Sequence, residues 1–272
     1  MWRCAFLWLS LTVCSVGEAG IMPERTRLIF SQGVGEISLR LANTNDYPVM
    51  MQSWVDQGEG SQAPDTVLSS MFVMPAVQRL QPHAVSQVRV LYTGDPLPAG
   101  RESVFWLNLY EIALLSAKAP QQDASRLLLG INTQIKLFYR PPGLPAPGPQ
   151  WHHALHFHLE RDPGEEGAWV LVCRNDSPYF VSFAALQLGD GAQGFSPRLA
   201  PDQMVPPYGQ QRYVLQQDGN ARTGMPAAWQ APYLRYQTIN DDGRLSEHEV
   251  ALTPPTPERS SYAWPHLPQN QE

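Results

Sequence analysis

Proline limits this chain more than any other residue. Its 26 prolines are scattered between short apolar runs instead of being gathered into repeats. Each one fixes φ and removes a backbone donor, which disfavours long helices and favours short strands joined by turns. Runs with strand character follow at residues 25–31, 36–42, 49–56, 72–80, 86–92, 103–112 and 126–139. Between them lie turn clusters such as Asn43-Thr44-Asn45-Asp46 and Gly94-Asp95-Pro96. About seven antiparallel strands at this spacing predict an immunoglobulin-like sandwich, with Trp54 expected in its core. Residues 141–149, PPGLPAPGP, form a stiff linker. A second set of strands is expected at 152–161, 168–174, 179–188, 211–216, 233–238 and 245–252, followed by a tail over 254–272 without strand or helix period. The fold class is therefore all-β, with a first domain over 20–142 and a second over 143–253.

The run Arg126 to Pro142, RLLLGINTQIKLFYRPP, is long for a strand and apolar on one side. Leu127, Leu129 and Ile131 line one face by alternation, and Lys136, one of two lysines in the chain, interrupts the apolar run further on. An unprotected edge of this kind is an aggregation hazard, so a strand built this way points to pairing with something else. The same edge predicts a self-capping homodimer in the absence of a partner.

Charge, cysteine and the N-terminus narrow the class. Arg3, the apolar run 5–16 and the small residues around Gly17-Glu18-Ala19 read as a secretory leader over residues 1–19. A lipidated Cys14 is disfavoured by the bulky Val13 before it. Removal of the leader takes away Cys4 and Cys14 and leaves Cys173 alone, which excludes an internal disulfide and makes that thiol a core residue. The net charge of −6 is mild and no basic stripe is present, which argues against nucleic acid as partner.

Six segments, taken in order, resemble a known family. They are ERTRLIF (24–30), AVQRLQP (76–82), RESVFWLNLYEI (101–112), INTQIKLFYRPP (131–142), NDSPYFVSF (175–183) and INDDGR (239–244). Together they are similar to the periplasmic pilus-assembly chaperones of the PapD type. The resemblance implies two immunoglobulin-like sandwiches in a boomerang arrangement and a periplasmic location. It also implies pilin or fimbrial subunits and an outer-membrane usher as partners. By motif position it places the anchor for the pilin C-terminal carboxylate on Arg27 and Lys136, and interdomain ion pairs on Glu102, Arg140 and Asp241. It makes Leu127, Leu129 and Ile131 the side chains of a strand donated to a pilin that lacks one of its own. No cysteine pair spans these strands and the loop 113–125 is of intermediate length, so the short-loop subclass is expected. Gln134 departs from a basic residue carried by some members.

Other readings compete. Without the resemblance, Arg27 and Lys136 are ordinary solvated strand charges, and Leu127, Leu129 and Ile131 are ordinary core residues. His152, His156 and His158 on one face of a strand invite a metal, but solvent-facing histidines explain them as well. Residues 238–249 imitate a calcium loop through Asn240, Asp242, Gly243 and Glu249, yet the first ligand is Thr238 and the flanks read as strands. No nucleophile elbow, phosphate-cradling loop or zinc-binding helix motif is present, so neither an enzyme nor a cofactor is expected. The alternative from another class is a secreted carbohydrate-binding or hydrolytic two-domain β-sandwich protein.

Overall fold

The computed structural model describes residues 20–31, 33–58, 69–114, 129–161, 169–189, 194–197, 204–215 and 233–252. The leader, Leu127, most of the loop at 113–125 and the tail at 254–272 lie outside the described residues. Among the described residues there is no α-helix, and the chain is all-β. It divides into two compact units, Met1–Phe30 with Val34–Pro96 and Phe105–Leu137, and Ser31–Gly33 with Leu97–Val104 and Phe138–Glu272.

Among the described residues, nine strands build the first unit. They are β1 (Ile21–Pro23), β2 (Arg27–Phe30), β3 (Glu36–Asn43), β4 (Val49–Asp56), β5 (Met71–Met74), β6 (Val77–Leu80), β7 (Val85–Tyr92), β8 (Ser103–Ala113) and β9 (Gly130–Tyr139). One sheet runs β1-β3-β7-β5 and the other β2-β9-β8-β4-β6. Strict alternation decides what goes inside. Leu39, Leu41, Val88 and Val90 bury the inner face of the first sheet, while Met51, Val55, Leu107, Leu109, Ile135 and Leu137 bury that of the second.

Two expectations for this unit are corrected. The single run at 72–80 is two strands, because β5 pairs with β7 in one sheet and β6 pairs with β4 in the other. Pro75 stands at the break, where a residue without a donor costs least. Trp54 is only half-buried, not a core residue. Met51, Ser53 and Val55 take the inward positions of β4, and alternation puts Trp54 on the other face.

The second unit opens with a 3-10 turn at Trp151–Ala154. Among the described residues eight strands follow: β10 (Leu155–Arg161), β11 (Trp169–Asn175), β12 (Val181–Gly189), β13 (Gly194–Phe195), β14 (Met204–Val205), β15 (Gln210–Val214), β16 (Tyr233–Ile239) and β17 (Leu245–Ala251). One sheet is β10-β11-β15, the other β13-β12-β16-β17, with β14 pairing β12. Leu171, Cys173 and Tyr213 from one sheet share a core with Phe183, Leu186, Leu234 and Tyr236 from the other. Burial pushes the Cys173 thiol up to about 12, so it behaves as an apolar side chain.

His248 is half-buried beside this core. Its ring stacks on Tyr236, directly opposite across β16 and β17, with centroids 4.9 Å apart, and lies 4.4 Å from that of His152. Burial, and then His152, lower its pKa from the usual 6.5. The unfolded chain therefore takes up a proton on acidification before the folded chain does, and stability falls as pH drops through 6.5. Urea titrations between about pH 7 and 5 should show this loss, and His248→Phe should flatten it.

Candidate functional site

The two cations singled out in the sequence come from neighbouring strands. Arg27 opens β2 and is 7% exposed, while Lys136 lies on β9, partly buried. β2 and β9 are adjacent in the second sheet of the first unit. Alternation turns Lys136 to the face opposite Ile135 and Leu137, together with Asn132 and Gln134.

That face carries a polar chain that the sequence reading missed. Asn108 is fully buried on β8 and donates through Nδ2 to Asp56 Oδ2 at 2.7 Å. Its Oδ1 accepts from Asn132 Nδ2 at 2.9 Å and from Gln134 Nε2 at 2.8 Å. The second oxygen of Asp56 accepts from the Gly58 N–H at 2.9 Å. Three strands are thus joined by side chains on the face that bears Lys136, and the departure at Gln134 supplies one of the donors. A polar residue inside the apolar run FWLNLYEI was the available signal.

The other face of β9 changes character along its length. Ile135 and Leu137 are buried in the core, but Leu129 and Ile131, in the same alternating row, are 66% and 49% exposed. β9 has ten residues and its neighbour β2 has four, so among the described residues β2 covers less than half of that edge. An apolar row that begins in the core and runs out along a partly unpaired edge is an incomplete sheet.

Glu102, Arg140 and Asp241 are brought together, and all three belong to the second unit. Arg140 Nε donates to Glu102 Oε1 at 2.6 Å, and its Nη1 and Nη2 donate to the two oxygens of Asp241 at 2.7 Å each. Glu102 Oε2 also accepts from the Phe180 N–H at 2.7 Å. The guanidinium lies 5.5 Å from the ring centre of Tyr179, whose hydroxyl donates to the Pro145 carbonyl at 2.9 Å. The side chains of Arg140 and Glu102 are almost wholly buried, while that of Asp241 is partly exposed. Burial is the largest influence on Glu102 and raises its pKa, against the pull of the Arg140 charge and of the hydrogen bonds from Arg140 and Phe180. Burial also works against the charge of Arg140, and its two carboxylate partners outweigh it.

Among the described residues neither ligand-like set is gathered round a common centre. His152 leaves the expected strand for the 3-10 turn and packs on His248, while His156 and His158 pair with Asp176 at 3.1 Å and Glu160 at 3.7 Å. In the calcium-like stretch, Asn240 Oδ1 accepts from the backbone N–H groups of Asp242 and Arg244, and Glu249 pairs with Arg235 at 3.0 Å. Those oxygens are committed to a β-turn and a cross-strand pair, not to a common centre.

The model for the pili and flagellar-assembly chaperone, PapD N-terminal domain, matches residues 20–145, and that for the pili assembly chaperone PapD, C-terminal domain, matches residues 150–250. The chain belongs to the PapD family of pilus-assembly chaperones. It is 30% identical to the chaperone protein PapD of Escherichia coli over 239 residues, 86% of this chain and 87% of that one. It is 29% identical to the chaperone FimB/FhaD of Bordetella pertussis over 246 residues, 89% of this chain and 91% of that one. Among solved structures, the YadV chaperone superposes with a TM-score of 0.66 at 27% identity, covering 85% of this chain and 99% of that one. These relatives favour the chaperone reading over a carbohydrate-binding or hydrolytic sandwich.

Proposed function

We propose that this protein works in the periplasm by lending β9 to pilin subunits, holding them folded until an outer-membrane usher takes them, and that it does so by binding, not turnover. The observation that carries the reading is the exposed apolar row at the start of β9. Leu129 and Ile131, continued on the N-terminal side by Leu127, have the alternation needed to fill a groove in an incomplete immunoglobulin-like core. Main-chain hydrogen bonds along the uncovered edge give affinity, and the side-chain period of two sets register. In the absence of subunits the same row pairs two copies as a self-capping dimer.

Arg27 and Lys136 are the cations for the carboxylate at the subunit's C-terminus. They sit at adjacent strands of the sheet that donates β9, so an anchored carboxylate fixes where the following residues pair. The salt-bridged Glu102, Arg140 and Asp241, all within the second unit, serve to fix its fold. Support for a pilin partner comes from SafB, a chaperone solved in complex with the Salmonella enterica SafA pilin, whose fold this chain shares at a TM-score of 0.60. The periplasmic setting is supported by SfaE, described as a periplasmic chaperone.

The test is co-expression with a cognate pilin in a periplasm, followed by capture through a tag on the chaperone. Arg27→Ala and Lys136→Ala should each stay folded and lose the subunit, because removing one partner of a desolvated charge pair costs about 2–5 kcal/mol. Undiminished capture by both variants would contradict the anchor.

A further inference from the structure

One buried carboxylate of the first unit has no part in the proposed site. Glu111 lies on β8 in the inward row of Leu107 and Leu109 and is 5% exposed. Its Oε2 accepts from the Ile21 N–H at 2.5 Å, and the Asn45 side chain also donates to the carboxylate. Both donors are neutral, and among the described residues no salt bridge is made to Glu111. An ionised carboxylate in such a place is costly without a cation, and burial raises its pKa accordingly.

The chain beside it is Gly20. A β-carbon built on Gly20 lies 3.6 Å from Glu111 Oε1. The backbone nitrogen of a residue is ~2.5 Å from its β-carbon position, so that nitrogen is in the neighbourhood of the carboxylate. Gly20 is also held in place, because its carbonyl accepts from both the backbone N–H and the hydroxyl of Thr44, at 2.9 and 2.8 Å. The residues just before it, Gly17-Glu18-Ala19, are the small-residue end of the leader.

We propose that Glu111 is the receptor for the α-ammonium created when a leader peptidase cleaves between Ala19 and Gly20, so that removal of the leader completes the core of the first unit. Water adds across the Ala19–Gly20 amide, the leader departs with the new Ala19 carboxylate, and the released Gly20 amine takes up a proton. The precursor has only a neutral amide at this nitrogen, so the compensating charge exists in the mature protein alone. The inference rests on residues 1–19 being a secretory leader, and it does not depend on what the chaperone captures.

The experiment compares chains beginning at Gly20 with chains carrying one extra residue, Ala19, each with Glu111 and with Glu111→Gln. The extra residue should lower the thermal midpoint by about 4–8 °C when Glu111 is present. It should shift it by less than about 1 °C in the Gln background. Independently of any substitution, the Gly20 amine, followed by NMR in protein with labelled glycine, should titrate above the ordinary range of about 7.7–8.0. Equal shifts in both backgrounds, or an amine titrating in the ordinary range, would overturn the pairing. The intact mass of the exported protein checks the leader separately, and a start at any residue other than Gly20 also overturns the proposal. Pilin capture reports on the proposed function alone.

Discussion

Replacing Arg140 by alanine should destabilise the second unit by about 3–5 kcal/mol. The reason is asymmetry. Glu102 is buried and its oxygens are committed to Arg140 and to the Phe180 N–H, so loss of the guanidinium leaves a carboxylate that water cannot reach. Asp241 is partly exposed and can recover solvation. Asp241→Ala should therefore cost much less than Arg140→Ala. Combining Arg140→Met with Glu102→Leu should restore most of the loss, since removing both buried charges is often close to neutral. Urea unfolding of the four proteins checks the series, and an Arg140→Ala protein within about 1 kcal/mol of the parent would show that the network does not hold the fold.

Leu129→Glu should do the reverse, abolishing pilin capture while leaving stability within about 0.5 kcal/mol of the parent. Leu129 is largely exposed, so a charge there meets water in the free protein. In a subunit complex the same charge would be pressed into an apolar groove, where an unpaired carboxylate costs far more than one hydrophobic contact returns. Leu137→Glu is the contrast. That residue lies in the same row but is fully buried, and the substitution should unfold the protein before binding can be asked about. Capture and melting measured on both variants separate the donated part of the row from the structural part.

The elements were legible in the sequence where alternation is strict and turns are well marked. β4 was bounded correctly at Val49 and Asp56, and β3, β7 and β8 to within a residue or so. Local pattern failed where tertiary pairing decides. The run at 72–80 looks continuous, and only the sheets on either side reveal that the chain changes partners at Pro75. His152 fits the strand period of its neighbours, yet it is held in a turn beside His248, nearly a hundred residues away in sequence. Trp54 attracts a core assignment by size, but period, not volume, sets the inward face of β4.

The candidate site was legible in a different way. The three charges that meet at Arg140 are far apart in the chain and no spacing rule joins them, so they were found only through the resemblance. The same holds for Arg27 and Lys136, which lie on neighbouring strands. The row on β9 was visible as alternation, but alternation is identical for a core strand and a donated one. Exposure separates them, because Leu129 and Ile131 stand out of the core that takes in Ile135 and Leu137. The chain of Asp56, Asn108, Asn132 and Gln134 left one trace, an asparagine inside an apolar run, and its partners depend on strand order.

Amide hydrogen exchange across residues 129–134, at the start of β9, in the free protein and in its pilin complex, is the most direct test of the donated strand. The account predicts fast exchange at the uncovered end of β9 in the free protein. It predicts strong protection there once a subunit is bound, with little change over Ile135 to Tyr139, which are already buried. A complex that forms while amides 129–134 keep exchanging as in the free protein would contradict it.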